Sequence, residues 1–139
     1  MEITLNRINH AVRFEGKNAA GNTVTLEGSP EIGGEGHGVR PMELLLMSLA
    51  SCSAMDVVNI LKKMRQPLDD LQVTVRGERA AGEIPAVFVK IHLIFHFFGK
   101  IKPEKAAEAT RLSVEKYCSV AAMLRKTAEI THEFSIVTT

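Results

Sequence analysis

Hydrophobic and polar residues alternate near the N-terminus, give way to one long apolar block, then alternate again before a helical pattern takes over. Ile3 and Leu5, then Val12 and Phe14, stand two apart, the period of half-buried strands. This predicts strands over residues 2–8 and 11–15 with a turn at Asn9-His10. Residues 16–22 (GKNAAGN) carry turn chemistry, and Val24-Thr25-Leu26 is β-prone. The three runs predict an antiparallel meander.

Residues 41–65 read PMELLLMSLASCSAMDVVNILKKMR. Residues 44–50 are apolar on nearly every side except at Ser48, which predicts a buried helix. Its second half is amphipathic, with Val57, Val58, Ile60, Leu61 and Met64 set against Asp56, Asn59, Lys62, Lys63 and Arg65. Pro41 suits a first helical turn, Glu43 and the C-terminal cations complement the helix dipole, and Pro67 ends the run. Cys52 lies near the middle of this helix.

Residues 68–80 and 86–98 alternate on either side of a turn at Gly82 and Pro85, predicting a long hairpin. The second strand becomes apolar on both faces, as a central or doubly covered strand does. Pro103 opens a second helix to about Tyr117, with Glu104 in its first turn. Ser119 can cap a short third helix, with Cys118 at or next to its start. Residues 130–137 form a last strand. The order β-β-β-α-β-β-α-α-β predicts an α+β protein with an antiparallel sheet and a buried helix. The apolar sheet faces have too few polar covers, so dimerisation is expected.

Composition narrows the function classes. The 139 residues suit one domain over 1–139, 45% hydrophobic and 24% charged. A formal net charge of +1, one Tyr and no Trp argue against nucleic acid. Ser48, Ser51, Ser53 and Asp56 interrupt the apolar helix too early for a membrane span. The N-terminus lacks the pattern of a signal peptide, and a cytoplasmic protein is expected. The glycine-rich loop over 28–38 (GSPEIGGEGHG) has no phosphate-cradle motif and is expected to cover the N-terminal end of the long helix. His10, His37, His92, His96 and His132 show no metal spacing. On a strand, His92 and His96 share a face at roughly 13 Å. The Met residues near the helices (Met42, Met47, Met55, Met64, Met123) read as core filling. No metal or cofactor is expected.

Two cysteines in a reducing compartment read as buried thiols or as a catalytic or transient disulfide. Cys118 at a helix start could have a depressed pKa of its own. Asp56, one turn after Cys52, shares its face and would raise a thiol pKa when ionised. Glu115, one turn before Cys118, reads as a surface acid.

PMELLLMSLASCSAMDVVNIL around Cys52 and EKYCSVAAML around Cys118 resemble the two cysteine motifs of the OsmC/Ohr family of bacterial peroxide-detoxifying proteins. The order of elements resembles that family over the whole chain. The resemblance implies the OsmC-like α+β fold, its antiparallel sheet wrapped around a long buried central helix in an intertwined homodimer with interfacial active sites. It implies a thiol peroxidase. Cys52 would attack a small organic hydroperoxide and become a sulfenic acid, Cys118 would resolve it as an intramolecular disulfide, and a dithiol would reduce that disulfide. Such chemistry needs a thiolate, favoured by a cation or helix terminus, and a second thiol before over-oxidation.

The chain departs from the peroxidase branch in places. There an N-terminal-loop arginine, held by a glutamate ten positions before the cysteine, activates the thiol; here that position is Met42. Glu43 lies nine before Cys52, about half a helical turn off. Arg40, Arg7 and Arg13 are the candidate basic partners, and Ser119 replaces a common proline. The match is closer to the less characterised OsmC-like branch. A second reading stays open: a non-catalytic dimer that binds a small apolar ligand or senses oxidation through the same disulfide.

Overall fold

The computed structural model describes residues 1–139. They form two compact units, Met1–Leu45 and Leu46–Thr139.

In the first unit, β1 (Thr4–Arg7), β2 (Arg13–Lys17) and β3 (Thr23–Glu27) make the expected antiparallel meander. Asn9 closes the first turn, its Oδ1 accepting the Ala11 and Arg13 amides at 3.0 Å each. β1 is not half-buried as its alternation predicts, for Leu5 is 56% exposed. It is an edge strand, and nothing in the chain covers its apolar side chains. Beyond β3 the loop contains a short 3₁₀ turn, Pro30–Ile32.

The helix α1 runs from Pro41 to Lys63. Arg40 donates its amide to Glu43 Oε1 at 2.9 Å, the return bond of a capping box. At the other end Arg65 takes a left-handed conformation (φ 57°), and the Gln66 amide reaches back to the Leu61 carbonyl at 2.9 Å. This is a Schellman closure, and Pro67 then prevents continuation. By length and composition α1 could cross a membrane, contrary to the sequence expectation. Its polar Ser53, however, is fully buried and bonded within the second unit, as in a helix packed inside protein. Leu49, Ser53, Val57 and Leu61 form its buried stripe, whereas Met47, Met55 and Val58 stay exposed. The all-round burial expected of its first half is therefore not reached within one chain.

In the second unit, β4 (Leu68–Arg79) and β5 (Phe88–Gly99) form the long antiparallel hairpin. β6 (Glu129–Val137) joins β5 in parallel, so the sheet order is β4-β5-β6 with β5 central. The parallel pairing follows from the helical crossover between β5 and β6. That crossover consists of α2 (Pro103–Leu112), a π-turn over Ser113–Tyr117 and the short α3 (Ser119–Leu124). Ile91, Leu93, Phe95 and Phe97 face the core, each at most 1% exposed. Each such side chain contributes roughly 1.5–3 kcal/mol by leaving water. Ala106, Ala109, Val114 and Ala121 close that core from the crossover. β4 can approach α1 closely at Gly77, where a Cβ would press on Phe88 and Leu46. The other face of β5 is half-exposed, and His92 and His96 there meet the hydroxyls of Thr131 and Ser135 on β6.

Candidate functional site

Two helical segments bring the distant cysteines together. Cys52 sits on α1, half-exposed, and Cys118 lies where the π-turn hands over to α3, 3% exposed. The π-turn is set by the Cys118 amide, which donates to the Ser113 carbonyl at 2.8 Å. Arg125 Nη2 fixes the same stretch by donating to the Val114 carbonyl at 2.6 Å. Both thiols are free.

Cys118, rather than Ser119, is the N-cap of α3, and its Sγ accepts the Ala121 amide at 3.3 Å. Sequence reasoning gave the cap to Ser119 because serine is the commoner cap residue. The Cys118 sulfur also accepts a hydrogen bond from Ser53 Oγ at 3.5 Å. Ser113 Oγ donates to the Ser53 carbonyl at 2.9 Å, and Asp56 Oδ2 lies 3.5 Å from it. Ser53 and Ser113 were not among the residues singled out from sequence. Their only early signal was polarity on a stripe that must be buried.

Burial pushes the Cys118 thiol up from its ordinary value, and the neighbouring Cys52 thiol pushes the same way. The Ser53 and Ala121 donors oppose this without reversing it. The depressed pKa expected of a helix-start cysteine is thus corrected: desolvation outweighs the donors. No arginine or lysine is among the groups that shift it.

Of the candidate basic partners, Arg13 is paired with acids of its own unit. Arg13 lies 3.4 Å from Glu27 Oε1 through Nε and 3.5 Å from Glu35 Oε1 through Nη2. Its buried Nε has no hydrogen-bond partner despite that ion pair. Arg40 meets Glu43 through its backbone amide at the start of α1, and Arg7 is exposed on β1. Glu115 pairs at the surface with Arg111 at 4.0 Å and His132 at 3.9 Å. Within the second unit, a cavity of about 470 Å³ is lined by Asp56, Ile60, Lys63, Met64, Leu112 and Tyr117 among others. It starts one helical turn beyond Cys52 and one residue before Cys118. It is amphipathic, with Asp56, Asn59 and Lys63 beside the apolar Ile60, Met64 and Leu112.

Comparison with known proteins gives this arrangement a lineage. The profile of the OsmC family, described as "OsmC-like protein", matches residues 34–133. Protein YhfA of Escherichia coli K12 is 42% identical over 125 residues, covering 89% of this chain and 90% of that protein. A hypothetical protein from Aquifex aeolicus VF5, known from its crystal structure, is 35% identical at a TM-score of 0.80 over 98% of this chain and 96% of its own. The organic hydroperoxide resistance protein OhrB of Bacillus subtilis has the same fold at 15% identity, with a TM-score of 0.68 over 97% of this chain and 98% of its own. The α+β fold is therefore the OsmC-like one, and the chain belongs to the OsmC-like protein family.

Proposed function

We propose that this protein is a cysteine-based hydroperoxide reductase, with Cys52 peroxidatic and Cys118 resolving. Family membership supports a redox, peroxide-related role at the coarse level. The observation that carries the finer reading is the meeting of two free thiols of unequal access. The half-exposed Cys52 can meet a peroxide, while the buried Cys118 waits beside it with two hydrogen-bond donors on its sulfur.

The Cys52 thiolate attacks the distal oxygen of an organic hydroperoxide. The O–O bond breaks, the alcohol leaves after taking a proton, and Cys52 becomes a sulfenic acid. Cys118 then displaces the sulfenic oxygen as water, and a dithiol reduces the resulting disulfide. The amphipathic cavity beyond Cys52 suits a small substrate with an apolar body.

Homodimerisation belongs to the same reading. Met47, Met55 and Val58 on α1 and Leu5 on β1 are exposed apolar side chains that a second copy would cover. A partner copy would also bring a second set of cations toward Cys52, since Arg13 is already paired with acids of its own unit. A cytoplasmic location is consistent with both thiols being free.

The test is organic peroxide consumption by the parent, Cys52→Ser and Cys118→Ser proteins with a dithiol present. Consumption by the parent and none by Cys52→Ser supports the proposal; equal rates for all three defeat it. A second reading, an oxidation sensor using the same disulfide, is favoured by the raised Cys118 pKa. It predicts that one equivalent of peroxide forms the disulfide without sustained turnover.

A further inference from the structure

A serine hydroxyl inside a helix ordinarily turns back to a carbonyl three or four residues earlier. Thr110 does this, donating to the Ala106 and Ala107 carbonyls at 3.0 Å each. Ser53 does not. It has no exposed surface, and its hydroxyl is directed to the Cys118 sulfur, 65 positions along the chain. The rest of the arrangement closes a ring of three hydrogen bonds. Ser113 Oγ–H donates to the Ser53 carbonyl, Ser53 Oγ–H to Cys118 Sγ, and the Cys118 amide to the Ser113 carbonyl. Ser53 is also the immediate chain neighbour of Cys52. The same turn of α1 thus carries one thiol and the hydroxyl that holds the other.

We infer that Ser53 is a further catalytic residue of the resolving step, its hydroxyl holding Cys118 Sγ toward Cys52 and stabilising the negative charge that forms there. This deepens the peroxidase reading and rests on it. In that step Cys118 gives its proton to water, and its thiolate attacks the Cys52 sulfenic sulfur. The S–S bond forms and the S–O bond breaks. Hydroxide leaves and takes up a proton to become water. The Cys118 sulfur is oxidised and the sulfenic sulfur reduced. Ser53 keeps its proton throughout and donates more strongly to the thiolate than to the thiol. When a reductant thiolate attacks the disulfide, the half-exposed Cys52 is the sulfur it can reach, and the same donor steadies the Cys118 thiolate that departs, so the mixed disulfide forms on Cys52.

The first experiment needs no peroxide. In the Cys52→Ser protein the ultraviolet absorbance of the thiolate titrates Cys118 alone. Adding Ser53→Ala, which removes one oxygen and leaves the helix a good former, should raise the apparent pKa by about one unit. That equals about a tenfold loss of thiolate below the midpoint. Ser53→Thr, which keeps the hydroxyl, should restore the original titration. Thermal unfolding checks that each variant is folded. An unchanged titration in folded Ser53→Ala overturns the inference.

In the two-cysteine protein, Ser53→Ala should slow disulfide formation about tenfold relative to sulfenic acid formation, read by trapping the sulfenic acid. An unchanged ratio also overturns it. The parent supplies a third readout that needs no variant. After oxidation, a monothiol should be captured on Cys52 with Cys118 released, and capture on Cys118 contradicts the inference. A shifted Cys118 titration in a protein that consumes no peroxide leaves the hold of Ser53 on the thiol standing and removes the peroxidase reading.

Discussion

Glu27, in the first unit, and Cys118, in the second, are both almost fully buried, at 2% and 3% exposed. Glu27 is surrounded by donors that favour its charge. Its carboxylate accepts the Glu35 amide at 2.9 Å and the His37 amide at 2.7 Å, and Arg13 stands beside it. The Glu35 amide is the main reason its pKa falls below the ordinary value, and burial opposes the fall without cancelling it. Cys118 also has two donors, but no cation shifts it, and burial wins. Glu27, its charged form favoured by these donors, pins the glycine-rich loop in place. A residue held neutral, with donors ready for its anion, is built to change state. On the proposed function, the difference separates a structural clamp from a reactive group.

The largest expected effect falls on the reactive side. Cys52→Ser should lower peroxide consumption by roughly a thousandfold or more, as loss of a nucleophile does. Cys118→Ser should keep the first turnover and then accumulate sulfinic acid at Cys52, visible by mass. A Cys118→Ser protein that sustains turnover would place the second thiol outside the cycle.

The clamp should show in stability instead. Glu27→Ala strands two loop amides and Arg13, and should lower the thermal midpoint by several degrees, with Glu27→Gln intermediate. The pH dependences of the two groups have opposite sign. Glu27 is lowered on folding, so its contribution is present above the ordinary value of 4.5 and lost as pH falls through the folded value. Cys118 is raised, so above the ordinary value of 9.0 the unfolded chain ionises first and stability drops with rising pH. Denaturant midpoints measured from acid to alkaline pH test both. Glu27→Gln should flatten the acid limb, and a non-titrating Cys118→Ser the alkaline one.

Gly34→Ala sharpens the clamp side further. A Cβ there would fall on the Gly28 carbonyl oxygen, so a loss of about 1–3 kcal/mol is expected by chemical denaturation. The smallest effect is expected at Glu43. Its Oε1 accepts the Arg40 amide at the helix start, and Glu43→Ala should cost about 0.5–1 kcal/mol.

Much of this architecture is legible in the sequence because its signals are local. Pro41, Glu43 and Pro67 mark the ends of α1, and two-residue alternation marks β2, β4 and β5. The cysteine motifs disclose the family. What stays hidden depends on groups far apart in the chain. The bond from Ser53 to Cys118 spans 65 positions, and no periodicity encodes it. In YCSVAAM either Cys118 or Ser119 can cap the helix that follows, and only the π-turn decides between them. β6 alternates as any half-buried strand does, so alternation could not reveal that it runs parallel to β5. Glu27 ends a β-prone run like an ordinary surface acid, and its burial becomes visible only when the loop folds back onto it. The exposed α1 and β1 side chains were expected inside, because an apolar pattern reports which face is apolar and not whether the rest of the chain covers it.

The most direct measurement is the mass of the protein and its peptides under non-reducing conditions after one equivalent of an organic hydroperoxide. The predicted result is rapid loss of two hydrogens from a single chain, with Cys52 and Cys118 recovered in one cross-linked peptide pair. Two thiols that remain reduced for hours, or a Cys52 sulfinic acid beside an untouched Cys118, would contradict it.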